Sequence, residues 1–566
     1  MHPDRPIHNS SEDKFERKEF AAQLADVLLL PAGAPSLVVG LEGGWGSGKS
    51  SVLAMVKARL LTRKPEPIIV EFNPWLLASL DSVVEGFLVQ LASKLGTYNK
   101  AKNAKDTAKK VLSFATFLKP IKFIPGAEPW ASLVTDAIES VGSAVKAASK
   151  FGALDLAAHK QDVQEALKNI GKPIVVIIDD VDRLPPDEVR IIFQLIKAVA
   201  DFERVAYLVA YDSAPVTKAL SYDGAYEGAS YLEKVIQLTY PMPRFAYGHR
   251  RTYLEDSVNA AIHDAGIKPT KSDKALLEEV YSETSIIRAL KQPRDIVRLS
   301  NKFRMALNCI KNEVTPGDLV VYTCLELRFP SVVKEIAEKP HRFVAVFGED
   351  DEVDHRDMLT AYVEDSKDGK EQPVSYVDRM LQERVSSEAD REIAKSLVQY
   401  IFPKLEKNHL GNRGSLNRLR NRNGLLKVLH HCSPSFTLPM SELERFLKKP
   451  NERRQMLRDY LEGKAVGALL GMMMQMPEGE QVADLEGLVD CLMDGLKGPP
   501  VHSNHENYCR TAGEVLYRLI IAEANPKKRW DSVVRALTKQ EGMYVGEAVI
   551  LQLLSQYGVW RSGEFT

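Results

Sequence analysis

Apolar positions along this chain follow two regimes. In roughly the first 245 residues, short β-branched runs alternate with stretches of helical spacing. The runs Ser36-Leu-Val-Val-Gly-Leu-Glu42, Pro67-Ile-Ile-Val-Glu-Phe72, Ile174-Val-Val-Ile-Ile178, Arg204-Val-Ala-Tyr-Leu-Val-Ala210 and Val235-Ile-Gln-Leu-Thr-Tyr240 predict five strands. Strands that are apolar on both faces belong in a parallel sheet covered by helices on each side. Two of the intervening helices are plain. Val52, Leu53, Val56 and Leu60 make one apolar face. Val189, Ile192, Phe193, Ile196 and Val199 make another, after a start marked by Pro185-Pro186 and the acids Asp187-Glu188. The fold class expected is α/β, a five-stranded parallel sheet followed by a mostly α-helical C-terminal region. The boundaries expected are a core over 1–245 with a helical insertion over about 77–172, a helical subdomain over 246–340, and a helical C-terminal domain over 341–566.

Bulk properties narrow the class. The chain has 566 residues, 45% of them hydrophobic, which is enough for sizeable cores. Net charge is −1, so no global field draws the protein to nucleic acid or an acidic membrane. Five scattered cysteines and a polar N-terminus lead to the expectation of a reduced, cytoplasmic setting. The most apolar stretch of the insertion, Val111–Leu118, stops at Lys119 and Pro120, so no integral membrane segment is expected.

The first strand runs into Gly43-Gly44-Trp45-Gly46-Ser47-Gly48-Lys49-Ser50, which fits G-x-x-x-x-G-K-[ST]. This is a phosphate loop. Glycines at 43, 44, 46 and 48 are expected to take positive φ and turn backbone N–H groups towards phosphate oxygens. Lys49 would neutralise the β/γ-phosphates, Ser50 would be a Mg²⁺ ligand, and Ser51 continues the cradle into a helix whose positive end faces the anion. The third strand ends in Asp179-Asp180-Val181-Asp182-Arg183, an acidic strand end of Walker B type. By position, Asp179 is the second Mg²⁺ residue and Asp180 the group that orients or deprotonates the attacking water. Asp182 and Arg183 would pair with each other or reach a neighbouring subunit. Gly43, Asp179 and Asp212 all stand at carboxyl ends of strands, where open α/β sheets bind ligands.

These blocks, in this order, resemble the KAP family of P-loop NTPases, a branch of the additional-strand class. The resemblance covers about residues 4 to 335. It also rests on Asp13-Lys-Phe-Glu-Arg17, Glu71-Phe-Asn-Pro-Trp75, Tyr207-Leu-Val-Ala-Tyr-Asp212 with its polar sensor position, Tyr231–Gln237, and Gln292-Pro-Arg-Asp-Ile-Val-Arg298 in a helical lid. It implies ATP and Mg²⁺ as cofactors, hydrolysis assisted by Lys49 and Asp180, and Arg294 as either a γ-phosphate sensor or a lid-packing residue. The Asn73–Trp75 block is expected to be structural. Soluble members are associated with prokaryotic anti-phage defence, such as the ATPase subunit of the Qat system. The function this implies is an ATP-hydrolysing switch or motor that couples nucleotide state to a partner. The alternatives are a nucleotide-gated scaffold with little turnover and a nucleic-acid motor.

The insertion contains Ala101–Lys110 and Ala131–Phe151. Phe114, Phe117, Ile121, Phe123 and Trp130 with Lys119 and Lys122 admit a membrane-surface element as the alternative to a packed hairpin. In the second half, Gly348–Asp354 and Asp365–Lys370 are expected loops. Arg413, Arg418, Arg420 and Arg422 form a basic segment that would either contact phosphates or lie on a solvated or partner-facing edge. His430-His431-Cys432 and His502, His505, Cys509 lack the tight paired spacing of zinc sites. The C-terminal helices are the expected contact for a protein partner or a second copy.

Overall fold

A computed structural model describes residues 5–7, 12–76, 80–97, 104–118, 158–199, 202–221, 228–344, 364–365, 374–403, 417–431, 438–463, 465–474, 476, 482–497, 503–539, 543–556, 560–561 and 564–565. The segment 119–157, with Trp130 and Ala131–Phe151, lies outside the described residues. So do Gly348–Asp354, Arg413, Cys432 and His502. The chain divides into two compact units, Pro3–His249 with Gln292–Asp295, and Arg250–Lys291 with Ile296–Thr566.

The first unit is built on five parallel strands: β1 (Leu37–Glu42), β2 (Ile68–Phe72), β3 (Ile174–Ile178), β4 (Val205–Tyr211) and β5 (Leu238–Pro241). Their spatial order is β2-β3-β4-β1-β5. The sheet thus places β4 between the phosphate-loop strand and the acidic strand, as the additional-strand class does. Alternate residues of β1, β3 and β4 feed opposite cores. Val39, Leu41, Val175, Ile177, Ala206 and Leu208 pack with Val52, Val56 and Leu60 of α2 (Lys49–Leu61) and with Ala21, Leu24 and Ala25 of α1 (Lys18–Val27). Val38, Val70, Phe72, Val176, Ile178, Tyr207 and Val209 pack on the other side, with Val189, Ile192 and Phe193 of the helix Pro186–Gln194. β3 and β4 are buried along their whole length, as continuous apolar runs require.

Two details differ from the pattern reading. The fifth strand begins at Leu238, because Leu232, Val235 and Ile236 instead form the buried face of the helix Gly228–Val235 and the turn after it. The helix after the acidic strand closes with a π-turn over Leu195–Val199.

The described part of the insertion is helical. α3 (Leu80–Thr97) and α4 (Ala104–Leu118) pack into the second core through Val83, Phe87, Leu88, Leu91, Val111 and Phe114. Phe87 meets Phe72 of β2 edge to face at 5.4 Å, and the Tyr207 ring of β4 at a 40° tilt and 6.5 Å. These helices are therefore part of the sheet's own core. No described helix is long and apolar enough to cross a membrane.

The second unit is almost wholly helical among its described residues, apart from two short antiparallel pairs, Glu364–Asp365 with Val374–Ser375 and Trp560–Arg561 with Glu564–Phe565. One of its cores runs from Leu438 to Val549 and includes Met472, Met473, Leu488, Leu492, Leu516 and Val545. Two buried charges of this unit show how such groups are tied to the fold. Arg453, 1% exposed, donates to the carbonyls of Phe446, Leu447, Ala483 and Asp484. Glu335 accepts from Lys339, Tyr376 and Arg384 at 2.6–2.7 Å. Led by the Lys339 and Tyr376 hydrogen bonds, this brings its pKa down to about 2.

Truncating Phe87 to Ala removes an aromatic that is 1% exposed between α3 and the sheet. It should destabilise the protein by about 3–5 kcal/mol. The check is a thermal or urea unfolding curve; a loss below about 1 kcal/mol would mean that α3 does not contribute to the core as described.

Candidate functional site

The site forms where β1, β3 and β4 end. β1 and β4 are paired from Leu37–Ala206 to Glu42–Tyr211, and the ladder continues one step as Gly43 N–H donates to Tyr211 O at 3.0 Å. On β3, Asp179 N–H donates to Phe72 O at 3.3 Å. The phosphate loop and the acidic strand end therefore emerge side by side. Ser50, in the first turn of α2, donates its hydroxyl to Asp179 Oδ2 at 2.8 Å.

The loop owes its shape to glycine in two ways. Gly46 and Gly48 take positive φ, +83° and +94°. Gly43 and Gly44 do not, contrary to the reading that all four would. Gly43 is instead required by space, since a Cβ there would stand 2.6 Å from Met242 Cγ and 2.8 Å from Ser47 Oγ. Trp45 N–H donates to Asp212 Oδ2 at 3.2 Å, which ties the loop to the end of β4. Ser47 is 6% exposed, and its hydroxyl has no hydrogen-bond partner among the described residues. A buried orphan hydroxyl inside a ring of backbone donors suits an anionic ligand.

The charged groups are paired with one another. Lys49, 9% exposed, donates from Nζ to Gly43 O at 2.7 Å and lies 3.4 Å from Asp182 Oδ2. Asp180 sits in the left-handed region at φ +61°. Its Oδ2 accepts from Asn73 Nδ2 at 3.2 Å, and its Oδ1 pairs with Arg183 Nε at 2.8 Å. Asn73 is thus in the site, not beside it. Its side chain also accepts from Trp75 N–H at 3.1 Å, which fixes the amide's orientation. Asp182 and Arg183 turn away from each other, one to Lys49 and one to Asp180. Burial pushes the Asp179 carboxyl up, the Ser50 hydrogen bond opposes this, and the neighbouring Asp180 charge adds to it. A cation held by Ser50 and Asp179 would reverse that balance. Their hydroxyl and carboxylate oxygens are the donor set a hard divalent ion prefers.

Arg294 stacks its guanidinium over the Trp45 ring, 4.2 Å from the centroid. A Cβ at Gly46 would meet Arg294 Cβ at 3.0 Å, so glycine permits this approach. The structure brings Gly43–Ser51, Asn73, Asp179, Asp180, Asp182, Asp212 and Arg294 to one strand-end region. It does not bring Arg418 forward as a phosphate contact. Arg418 is 8% exposed, donates from Nε to the buried Asp318 at 2.8 Å, and lies over Tyr400.

The KAP family P-loop domain matches residues 17–310, more than half of the chain. The protein belongs to the KAP family. This KAP protein is also 25% identical over 348 residues to the "Phage T7 exclusion protein" of Escherichia coli (strain K12). That match takes in 58% of this chain and 46% of the relative, so the chain spans about half the relative's length. Among solved structures it is similar to the Aeropyrum pernix ORC2 protein in ADPNP–ADP complexes. There the TM-score is 0.30, the identity 12%, and the shares covered are 57% of this chain and 74% of that one.

Asp182 adds a negative charge beside Lys49, the residue expected to meet a bound polyphosphate. Replacing it as Asp182→Asn should tighten nucleotide binding by about threefold to tenfold, since it removes one near-site repulsion. Equilibrium titration with ATP measures this; unchanged or weaker binding would show that Asp182 has another role, such as ion binding.

Proposed function

We propose that this protein is an ATP-hydrolysing switch or motor that couples its nucleotide state to a partner in defence against phage. The observation that carries the reading is the 2.8 Å contact between Ser50 Oγ and Asp179, which joins the phosphate loop to the acidic strand end. A structural strand cap has no need of that pairing with a lysine and a glycine nest beside it. The defence setting rests on the similarity to a phage-exclusion protein.

In this reading the N–H groups of Gly46–Ser51 cradle the phosphates, and Lys49 exchanges Asp182 for the β/γ-phosphates. Ser50 and Asp179 hold Mg²⁺, which would neutralise charge on the transferring phosphoryl group. Asp180 orients the attacking water and takes its proton. Trp45 hands Arg294 to the γ-phosphate when the ligand arrives. The C-terminal helices then engage a partner protein or a second copy.

One observation favours the scaffold alternative at rest. Both carboxylate oxygens of Asp180 are already engaged, by Asn73 and by Arg183. Basal turnover should therefore be slow until a partner frees that group. The nucleic-acid motor gains little, because Arg418 is committed to Asp318.

Steady-state hydrolysis with Mg²⁺–ATP tests the reading. Lys49→Ala and Asp180→Asn should each lose about 10²-fold or more in kcat. Asp180→Asn should still bind ATP, while Lys49→Ala should bind it weakly. Equal turnover in wild type and both variants would sink the proposal. Binding without turnover in the wild type, at any tested concentration, would select the scaffold instead.

A further inference from the structure

Behind the phosphate loop stands an arginine that none of the site motifs includes. Arg17 is 4% exposed. Its Nη1 donates to Ser47 O at 2.6 Å and its Nη2 to Pro243 O at 3.1 Å. The guanidinium lies over Phe15, with Cζ 5.4 Å from the ring centroid, and Phe15 meets Phe245 edge to face at 4.8 Å. A Cβ at Gly48 would stand 2.8 Å from Nη1. One guanidinium thus joins three pieces of chain: the segment before α1, the turn of the phosphate loop, and the stretch after β5.

We propose that Arg17 is a positioning residue for the phosphate loop, holding the Ser47 carbonyl away from the anion so that the neighbouring N–H groups face it. This rests on the nucleotide-binding reading above.

The physical case has three parts. A nest of backbone donors necessarily has its carbonyls fanned out on its convex side. Ser47 precedes the first turn of α2, so its carbonyl takes no part in the helix's own hydrogen bonds. If the Ser47–Gly48 peptide flipped, that carbonyl would point at the phosphates and repel them. A glycine at φ +94° makes the flip sterically cheap. Something has to disfavour it, and a charge-assisted hydrogen bond from a buried arginine does so strongly.

The second part is the fork. Two separate acceptors, Ser47 O and Pro243 O, are held by two nitrogens of one rigid plane, and a lysine cannot reproduce that. The third is electrostatic. Burial lowers the Arg17 pKa, with Asp13 opposing it, yet a guanidinium stays charged in proteins. A permanent positive charge therefore backs the anion cradle from a side that the ligand does not reach. The strap around it is anchored separately, since Ile7 N–H donates to Ser51 Oγ at 3.4 Å.

The test uses the full chain as wild type, Lys49→Ala, Arg17→Met and Arg17→Lys. Each is titrated with Mg²⁺–ATP and with Mg²⁺–ADP, assayed for hydrolysis, and followed by thermal unfolding. For Arg17→Met the expected result is binding of both nucleotides weakened by at least about tenfold, the scale of one charge-assisted hydrogen bond. KM should rise with it. Arg17→Lys should fall between the two, as it keeps the charge and loses the fork.

A merely structural arginine would lower the unfolding midpoint and leave the nucleotide Kd and KM of the folded protein unchanged. If Arg17→Met folds and binds within about twofold of wild type, the inference is wrong. If Arg17→Met does not fold, Arg17→Lys decides. Weakening of about threefold or more supports the proposal, and binding equal to wild type overturns it. Wild type that binds ATP no better than Lys49→Ala would instead overturn the nucleotide reading itself, and this inference with it.

Discussion

Everything at the site depends on the parallel register of β1, β4 and β3. Ser50 can meet Asp179 only if the strand before the loop and the strand before the acids end at the same level, with β4 spacing them. Hydrophobicity alone does not set that level. β3 and β4 are apolar on both faces, so a slip of one residue would still bury apolar side chains. Volume does set it. Gly40 of β1 leaves room that Tyr211 and Ile236 fill, and a Cβ there would stand 2.9 Å from the Tyr211 ring. A shifted register would place Val39 or Leu41 against that ring. Glycine here is a mark of alignment, and its neighbours in the loop are marks of ligand approach.

Charge in this unit is largely balanced from within. Lys49 has Asp182, Asp180 has Arg183 and Asn73, and Arg17 has two carbonyls. A buried charge left alone costs several kcal/mol. A binding site that must stay intact without its ligand therefore needs stand-in partners. The ligand then exchanges partners and does not simply add them, so the net gain is smaller than the contacts suggest. The same logic explains why Asp182 follows the two acids by a short 3₁₀ turn, Val181–Arg183. That turn carries Asp182 back to Lys49 and Arg183 back to Asp180.

Much of this was legible in the amino-acid order, and the limits were physical. Glycine, lysine, serine and paired acids at fixed spacing report chemistry that few other arrangements need, so the loop and strand end could be read directly. β3 was bounded to the residue because its apolar run is flanked by Pro173 and Asp179. β5 was less clear, since Val235 and Ile236 suit a strand or a helix face equally and only packing decides. Asn73 and Arg17 stand in blocks of the family resemblance, but what they touch was hidden for another reason. Asn73 acts through a hydrogen bond to Asp180, 107 residues on, and Arg17 through two, to Ser47 and Pro243, 30 and 226 residues on, and no local pattern records such partners. The arginine-rich stretch misled in the opposite sense. A charge in sequence looks solvated until its buried counterion, here Asp318, one hundred residues away, is seen.

Asp180 shows what a trigger would have to do. Its backbone is in the left-handed region, which costs a non-glycine residue of order 1 kcal/mol, and Arg183 and Asn73 hold both oxygens. A carboxylate so engaged has no oxygen aimed freely at water. A hydrogen bond to a charged group is worth up to about 1.5–3 kcal/mol and a half-exposed ion pair less, so breaking both outright costs more than exchanging one of them. Exchange is the cheaper route. Arg183 is 43% exposed while Asp180 is 19% exposed, so the arginine is the partner that an acidic group from outside can reach. Drawing Arg183 away would leave Asn73 to orient the carboxylate and free Oδ1 for a water molecule. If the chain hydrolyses nucleotide as proposed, the restraint at rest lies at Asp180 and not at the phosphate loop, and nucleotide binding and hydrolysis can be controlled separately.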